Sequence, residues 1–227
     1  MKLIYEIFRW KGLLLAWPLH ALFFKRKTYY ENKAEQSRWL KGGALVISNH
    51  FHTFDYFLNA TLFPFRKLGV VIAEFAWQRK FIIFGMKCCG GIKSDRDAMS
   101  MRFIDESVEA LERGELVQIF PEAYFSEDGL MHDFKPSYLL IALRADVPIV
   151  PVMLDGNYGW NKRAHCIIGK KIYLTDYCSS LNPTREEIME LNRIVQAKAA
   201  ELKAELDARV AADAAKKRKR KGDHAHV

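Results

Sequence analysis

The segment Asn49-His50-Phe51-His52-Thr53-Phe54-Asp55 sets an imidazole and a carboxylate five residues apart. On a single helix that spacing turns the two side chains about 140° away from each other, and they would not meet. If His50 instead ends a strand and Asp55 begins a helix, the loop between them can fold the carboxylate back onto the ring. Asp55 then accepts from one ring nitrogen, and the other is left to take a proton from a hydroxyl. Histidine suits that task because its ordinary pKa of about 6.5 leaves it mostly neutral near pH 7. No Ser or Cys stands in a nucleophile elbow, so direct attack by a substrate hydroxyl is simpler than a covalent intermediate. His52 is two residues on and points elsewhere if the chain is extended.

The pair alone carries little weight. With seven His and twelve Asp in the chain, about 0.4 matches to H-x4-D arise by accident. Phe120-Pro121-Glu122 is rarer, with about 0.03 chance matches from the same composition. Both in this order, followed by Val147-Pro148-Ile149-Val150-Pro151-Val152, are hard to ascribe to chance. Singly, each has a plainer reading: His50 as a core histidine, Glu122 as a surface carboxylate, and Pro148 and Pro151 as marks of an edge strand.

Positioning these residues requires strands that end where the motifs begin. Ala44 to Ser48 is a β-rich run ending at a polar turn, and an apolar helical stretch comes next, from Asp55 to Phe63. Further strands read over Leu68–Ala73, Leu116–Phe120, Val147–Leu154 and Cys166–Leu174, with a short strand and turn at Cys88–Ile92. Helical spacing marks Ala98–Arg113 and Pro136–Ala145, and Trp77–Phe84 is an aromatic amphipathic piece. Thr184-Arg185-Glu186-Glu187 is a capping box opening a long helix to about Ala215. Strands alternating with helices predict an α/β fold with a mixed, largely parallel sheet flanked by helices, preceded by an N-terminal membrane-associating helical segment. Such sheets place chemistry in the loops at the carboxyl ends of their strands. The loops at 49–55 and 121–122 fit.

A chain of 227 residues, half of them hydrophobic, suits one such domain and excludes disorder and coiled coil. Its net charge of +8 is uneven. Residues 216–221 (KKRKRK) supply +6, residues 1–27 supply +5, and Asp223 removes one, which leaves residues 28–215 at −2. Basic ends on a near-neutral body suit an anionic membrane surface, whereas nucleic acid would want a basic face on the body. The first segment has its longest uncharged run at Gly12–Phe24, 13 residues containing Pro18 and His20, short of the roughly 20 that a span needs. It reads as an interfacial helix, or a hairpin broken near Pro18, with Lys25, Arg26 and Lys27 reaching headgroups. The alternative is a buried core helix. Cys88, Cys89, Cys166 and Cys178 show no ligand spacing and read as reduced thiols in a cytoplasmic setting. The expected division is 1–39 membrane-associating, 40–182 α/β core, 183–215 C-terminal helix and 216–227 basic disordered tail.

These motifs resemble the glycerolipid acyltransferase family, which includes the 1-acylglycerol-3-phosphate acyltransferases. The family's NHxxxxD block is matched by Asn49, His50 and Asp55. Its second block, glycine-led and ending in a base, is matched loosely by Gly91-Ile92-Lys93-Ser94-Asp95-Arg96. Of the FPEGTR-like third block only Phe120, Pro121 and Glu122 match, and the VPIVPV-like fourth falls on Val147–Val152. The resemblance implies acyl transfer from a thioester, acyl-CoA or acyl-carrier protein, to a lysophospholipid hydroxyl. Lysophosphatidate is the leading acceptor, and the protein would work on the cytoplasmic face of a membrane. It implies His50 as general base, Asp55 as its orienting partner, and Glu122 among the acceptor-binding residues, with no cofactor, metal or nucleic-acid partner. Ala123, Tyr124 and Phe125 stand where Gly, Thr and a phosphate-binding Arg are usual. Either Arg96, Lys93 or Lys135 takes over that charge, or the acceptor lacks a phosphomonoester. A catalytically silent lipid-binding protein is the further alternative.

Overall fold

The runs Ala44–Ser48 (β2), Leu116–Ile119 (β5) and Ile149–Leu154 (β6) are buried at every residue. Continuous apolar runs of this kind belong to central strands of a parallel sheet covered on both faces. In the computed structural model, which describes residues 2–63, 65–94, 102–159, 162–178 and 183–224, they form the middle of a seven-stranded sheet. The other strands are β1 (Lys27–Tyr30), β3 (Leu68–Ala73), β4 (Gly91–Ser94) and β7 (His165–Ile168). The order is β1-β7-β6-β2-β5-β3-β4. Every neighbouring pair is parallel except β6 with β7. Hence β2, β3, β4, β5 and β6 end at one edge, and β7 and β1 begin there.

The helices are α1 (Lys2–Phe24), α2 (Phe54–Ala60), α3 (Lys80–Cys88), α4 (Arg102–Glu112), α5 (Ser137–Arg144) and α6 (Arg185–His224). Alternation along the strands divides the core. Leu45, Ile47, Val117, Ile119, Ile149 and Met153 face α4, α5 and α6, packing with Leu111, Leu139, Ile141 and Val195. Ala44, Val46, Leu116, Val150 and Val152 face the other way, onto Leu58, Leu62 and Phe63 around α2 and Phe24 at the end of α1. The capping box is present. The Thr184 N–H donates to Glu187 Oε2 at 2.6 Å, and the Glu187 N–H to Thr184 Oγ1 at 3.2 Å.

Several expectations need correction. Strand β1 lies inside the segment read as wholly helical; Lys27-Thr28-Tyr29-Tyr30 is β-prone and is held by pairing with β7, which is distant in sequence. Helix α1 continues through Pro18; the ring removes one backbone bond without ending the helix. Arg26 does not reach outward. Its guanidinium donates to the Leu58 carbonyl at 2.6 Å and to Thr61 Oγ1 at 2.8 Å, closing the carboxyl end of α2, and burial lowers its pKa. Pro151 sits in a central strand, not at an edge. Its carbonyl accepts from Gly169 just past the end of β7, so the donor it lacks falls where that ladder stops. Finally, α6 runs to His224 rather than ending near residue 215, because Ala, Lys and Arg favour helix and no breaker occurs before Gly222.

Candidate active site

Ser48 ends β2 and Phe54 begins α2, so His50 lies in the loop between the two elements and Asp55 in the first turn of the helix. His50 Nδ1 donates to Asp55 Oδ2 at 2.9 Å. The tautomer follows from the carboxylate, which only accepts. The same oxygen accepts the N–H groups of Phe51 at 2.7 Å and His52 at 2.8 Å. Asp55 is 0% exposed, and a buried carboxylate needs this many donors to be tolerated. Its other oxygen accepts the Tyr158 hydroxyl. The His50 side chain is 17% exposed. Among the described residues no group bonds its Nε2, which is free for a substrate proton.

The walls come from the ends of β5 and β6, at the same edge. The His50 ring stacks on Phe120, with centroids 3.7 Å apart and planes at 14°, and Phe125 lies against it at 4.3 Å. Asn49 joins the loop to β6 through two bonds to Leu154, 2.8 Å from its N–H and 3.0 Å to its carbonyl. Gly156 has φ +70°, and a Cβ there would come within 2.9 Å of the Phe51 ring, so the turn carrying Tyr158 needs glycine on both counts. Burial raises the Tyr158 pKa, and the Asp55 carboxylate raises it further, which keeps the phenol a donor. Sequence reasoning missed Tyr158 because 103 residues separate it from Asp55. Tyr158→Phe should leave one buried Asp55 oxygen without a donor and lower kcat about tenfold. Steady-state kinetics with a saturating acceptor check this.

Glu122 is brought to the dyad, but not as a substrate contact. It is 0% exposed, and its oxygens accept the backbone N–H of His50 at 3.2 Å and of His132 at 2.8 Å. It staples the loop after β2 to the segment at 131–134. Desolvation raises its pKa, only partly offset by those two donors. The next residue, Ala123, has φ +64°, a left-handed backbone that costs a residue with a Cβ roughly 1 kcal/mol. Since Ala123 is exposed, Ala123→Gly should leave no cavity and stabilise the protein by about 0.5–1 kcal/mol in urea unfolding.

The candidate cations separate. Lys93 lies on β4, three strands from β2, and its ammonium pairs with Glu74. It is therefore not brought to His50. Lys135 is exposed, and its backbone N–H donates to the Pro121 carbonyl at 2.8 Å, beside Glu122. Arg96 lies outside the described residues. Tyr124 and Phe125 are exposed beside the dyad, and Tyr124 leans on His132 with centroids 5.2 Å apart.

Comparison with known proteins agrees with this geometry. The profile of the family described as Acyltransferase matches residues 25–155. A 1-acyl-sn-glycerol-3-phosphate acyltransferase of Limnanthes douglasii is 32% identical over 136 residues, covering 57% of this chain and 47% of its own. One of Cocos nucifera is 26% identical over 168 residues, covering 67% and 54%. The chain thus spans about half the length of the curated relatives it matches. The crystal structure of the 1-acyl-sn-glycerophosphate acyltransferase PlsC from Thermotoga maritima superposes with a TM-score of 0.58 at 19% identity, over 89% of this chain and 80% of that one. This likeness concerns the fold.

Proposed function

Because this chain belongs to the acyltransferase family, we propose that it moves a fatty acyl group from an acyl thioester to the hydroxyl of a lysophospholipid, 1-acylglycerol-3-phosphate in the first instance. The observation that carries this reading is the 2.9 Å contact of His50 Nδ1 with a fully buried Asp55, beside a free Nε2 at the carboxyl edge of the sheet. The acceptor hydroxyl gives its proton to Nε2 while its oxygen attacks the thioester carbonyl. The tetrahedral intermediate then collapses, the C–S bond breaks, and the imidazolium returns a proton to the leaving thiolate. Asp55 stabilises the imidazolium and holds the ring in its tautomer.

The relatives' names support lysophosphatidate as the acceptor, with Lys135 as the exposed cation beside the third block. A second reading is favoured by Phe125, which puts a ring on His50 where the family's Arg is usual and suits an acceptor without a phosphomonoester. Thiol release from acyl-CoA, offered lysophosphatidate, a neutral lysolipid or no acceptor, separates the two. Release requiring lysophosphatidate supports the first reading, and release only with the neutral lysolipid supports the second. Silence with every acceptor, and with an acyl-carrier-protein donor, would favour a lipid-binding protein without catalysis.

The reaction requires access to lipid, and α1 supports a place on the bilayer surface. Leu3, Ile4, Phe8, Trp10, Leu14 and Trp17 are among its exposed apolar residues, while no described helix is long and apolar enough to cross a membrane. An interfacial helix fits both facts. The spacing of Cys88, Cys89 and Cys166 suits reduced thiols, which supports the cytoplasmic face as the working side.

A further inference from the structure

Helices α1 and α6 lie on opposite faces of the sheet, yet both reach the start of β1. There the Lys27 ammonium pairs with the Asp213 carboxylate, and the Tyr29 hydroxyl donates to the same oxygen at 2.5 Å. Those hydrogen bonds, from Lys27 first and then Tyr29, hold the Asp213 pKa down to about 2, so the contact is ionic throughout the neutral range. Since β7 runs against β6 and β1 runs with β7, this point lies on the edge where β2, β5 and β6 end. The dyad lies on that edge too. Phe24, at the end of α1, packs there on Phe54 at 5.9 Å and Tyr158 at 6.0 Å.

Beyond Asp213 the helix changes character. Up to that point α6 balances its charges, with Arg193 on Glu190, Lys203 on Asp207 and Arg209 on Glu205. From Lys216 to Lys221 every residue is basic, while the backbone remains helical to His224. Lys216, Lys217 and Arg218 are exposed, one turn beyond the Asp213 contact. On α1, the exposed apolar residues include Leu14, Leu15, Trp17 and Leu22.

We propose that the basic end of α6 binds the anionic headgroups of a lipid bilayer and, latched through Asp213 to Lys27 and Tyr29, turns the edge bearing His50 toward that surface. This rests on the reading of α1 as interfacial and adds the lipid charge and the orientation. The fold joins two segments remote in sequence, because Lys27 and Tyr29 just beyond α1 meet Asp213 near the end of α6.

The test uses the full chain, co-sedimented with vesicles of phosphatidylcholine alone or mixed with phosphatidylglycerol. Reversing three exposed bases (K216E/K217E/R218E) touches no core residue. It should weaken binding to the anionic vesicles about a hundredfold or more, at on the order of a factor of five per base, and leave binding to neutral vesicles unchanged. Asp213→Ala keeps all six bases, so it should still bind the anionic vesicles. Hydrogen exchange on the bound protein should then show that Asp213→Ala has lost the vesicle protection of residues 50–57 that the unmodified chain shows. A charge-reversed protein that binds anionic vesicles as well as the unmodified one would overturn the lipid contact. Undiminished protection in Asp213→Ala would overturn the latch. Equally tight binding of duplex DNA or RNA, lost in the charge-reversed variant, would overturn lipid as the occupant. Neither readout needs turnover, so a protein that binds in this way but releases no thiol overturns the proposed reaction alone.

Discussion

His50→Ala is expected to lower acyl transfer by about three orders of magnitude, the middle of the range that a positioned general base supplies. The fold should survive. Asp55 Oδ2 keeps the Phe51 and His52 N–H groups, and its other oxygen keeps Tyr158, so no buried carboxylate oxygen is left without a donor. The ring that is lost stacks on Phe120 and Phe125 at the partly open mouth of the site, not in the main core. Thiol release, with urea unfolding as the control for folding, checks both halves of the expectation. A variant that turns over at near the unmodified rate would remove His50 from the role of base.

Asp55→Asn is expected to cost about two to three orders of magnitude in kcat while nearly preserving shape. The amide oxygen can replace Oδ2 as acceptor for His50, Phe51 and His52, and the amide N–H₂ can donate to the Tyr158 oxygen. What disappears is the negative charge that stabilises the imidazolium formed as the acceptor hydroxyl gives up its proton. Hydrogen bonds to a charged acceptor are each stronger than to a neutral one, so a stability loss of about 1–2 kcal/mol accompanies the change. A large kcat loss with a small stability loss places Asp55 in the chemistry. The reverse pattern, large in unfolding and small in kcat, would make it a loop anchor only. Tyr158→Phe is the milder test of the same geometry, because it removes one donor and leaves the charge.

Much of this site was legible in the linear order of residues. The five-residue spacing of His50 and Asp55 works only across a strand-to-helix turn, and β2 and α2 provide one. The capping box at Thr184 and Glu187 rests on contacts within four residues, so it too could be read directly. Glu122 was recognised as belonging to the site, but its backbone partners were not legible. A motif reports that a carboxylate is required, not whether its oxygens face a substrate or the backbone N–H groups of His50 and His132. The basic run at 25–27 misled for a similar reason. A cation looks the same in sequence whether it reaches a headgroup or, like Arg26, turns inward to the carbonyls at the end of α2.

Local chemistry by itself therefore determined the α/β class and the strand-to-helix turn that pairs His50 with Asp55, because periodicity, capping and a short loop depend on neighbours along the chain; the family was legible through the resemblance of the motif blocks. Only the tertiary structure decided that β1 extends the sheet, that Tyr158 reaches Asp55 across 103 positions, and that Asp213 meets Lys27 across 186. The physical reason is the antiparallel turn at β7. By reversing the chain next to β6, it carries the start of β1, the end of α1 and the last turns of α6 to the edge where His50 stands. Strand order and direction arise from the burial of both sheet faces at once, and no window of sequence contains that balance.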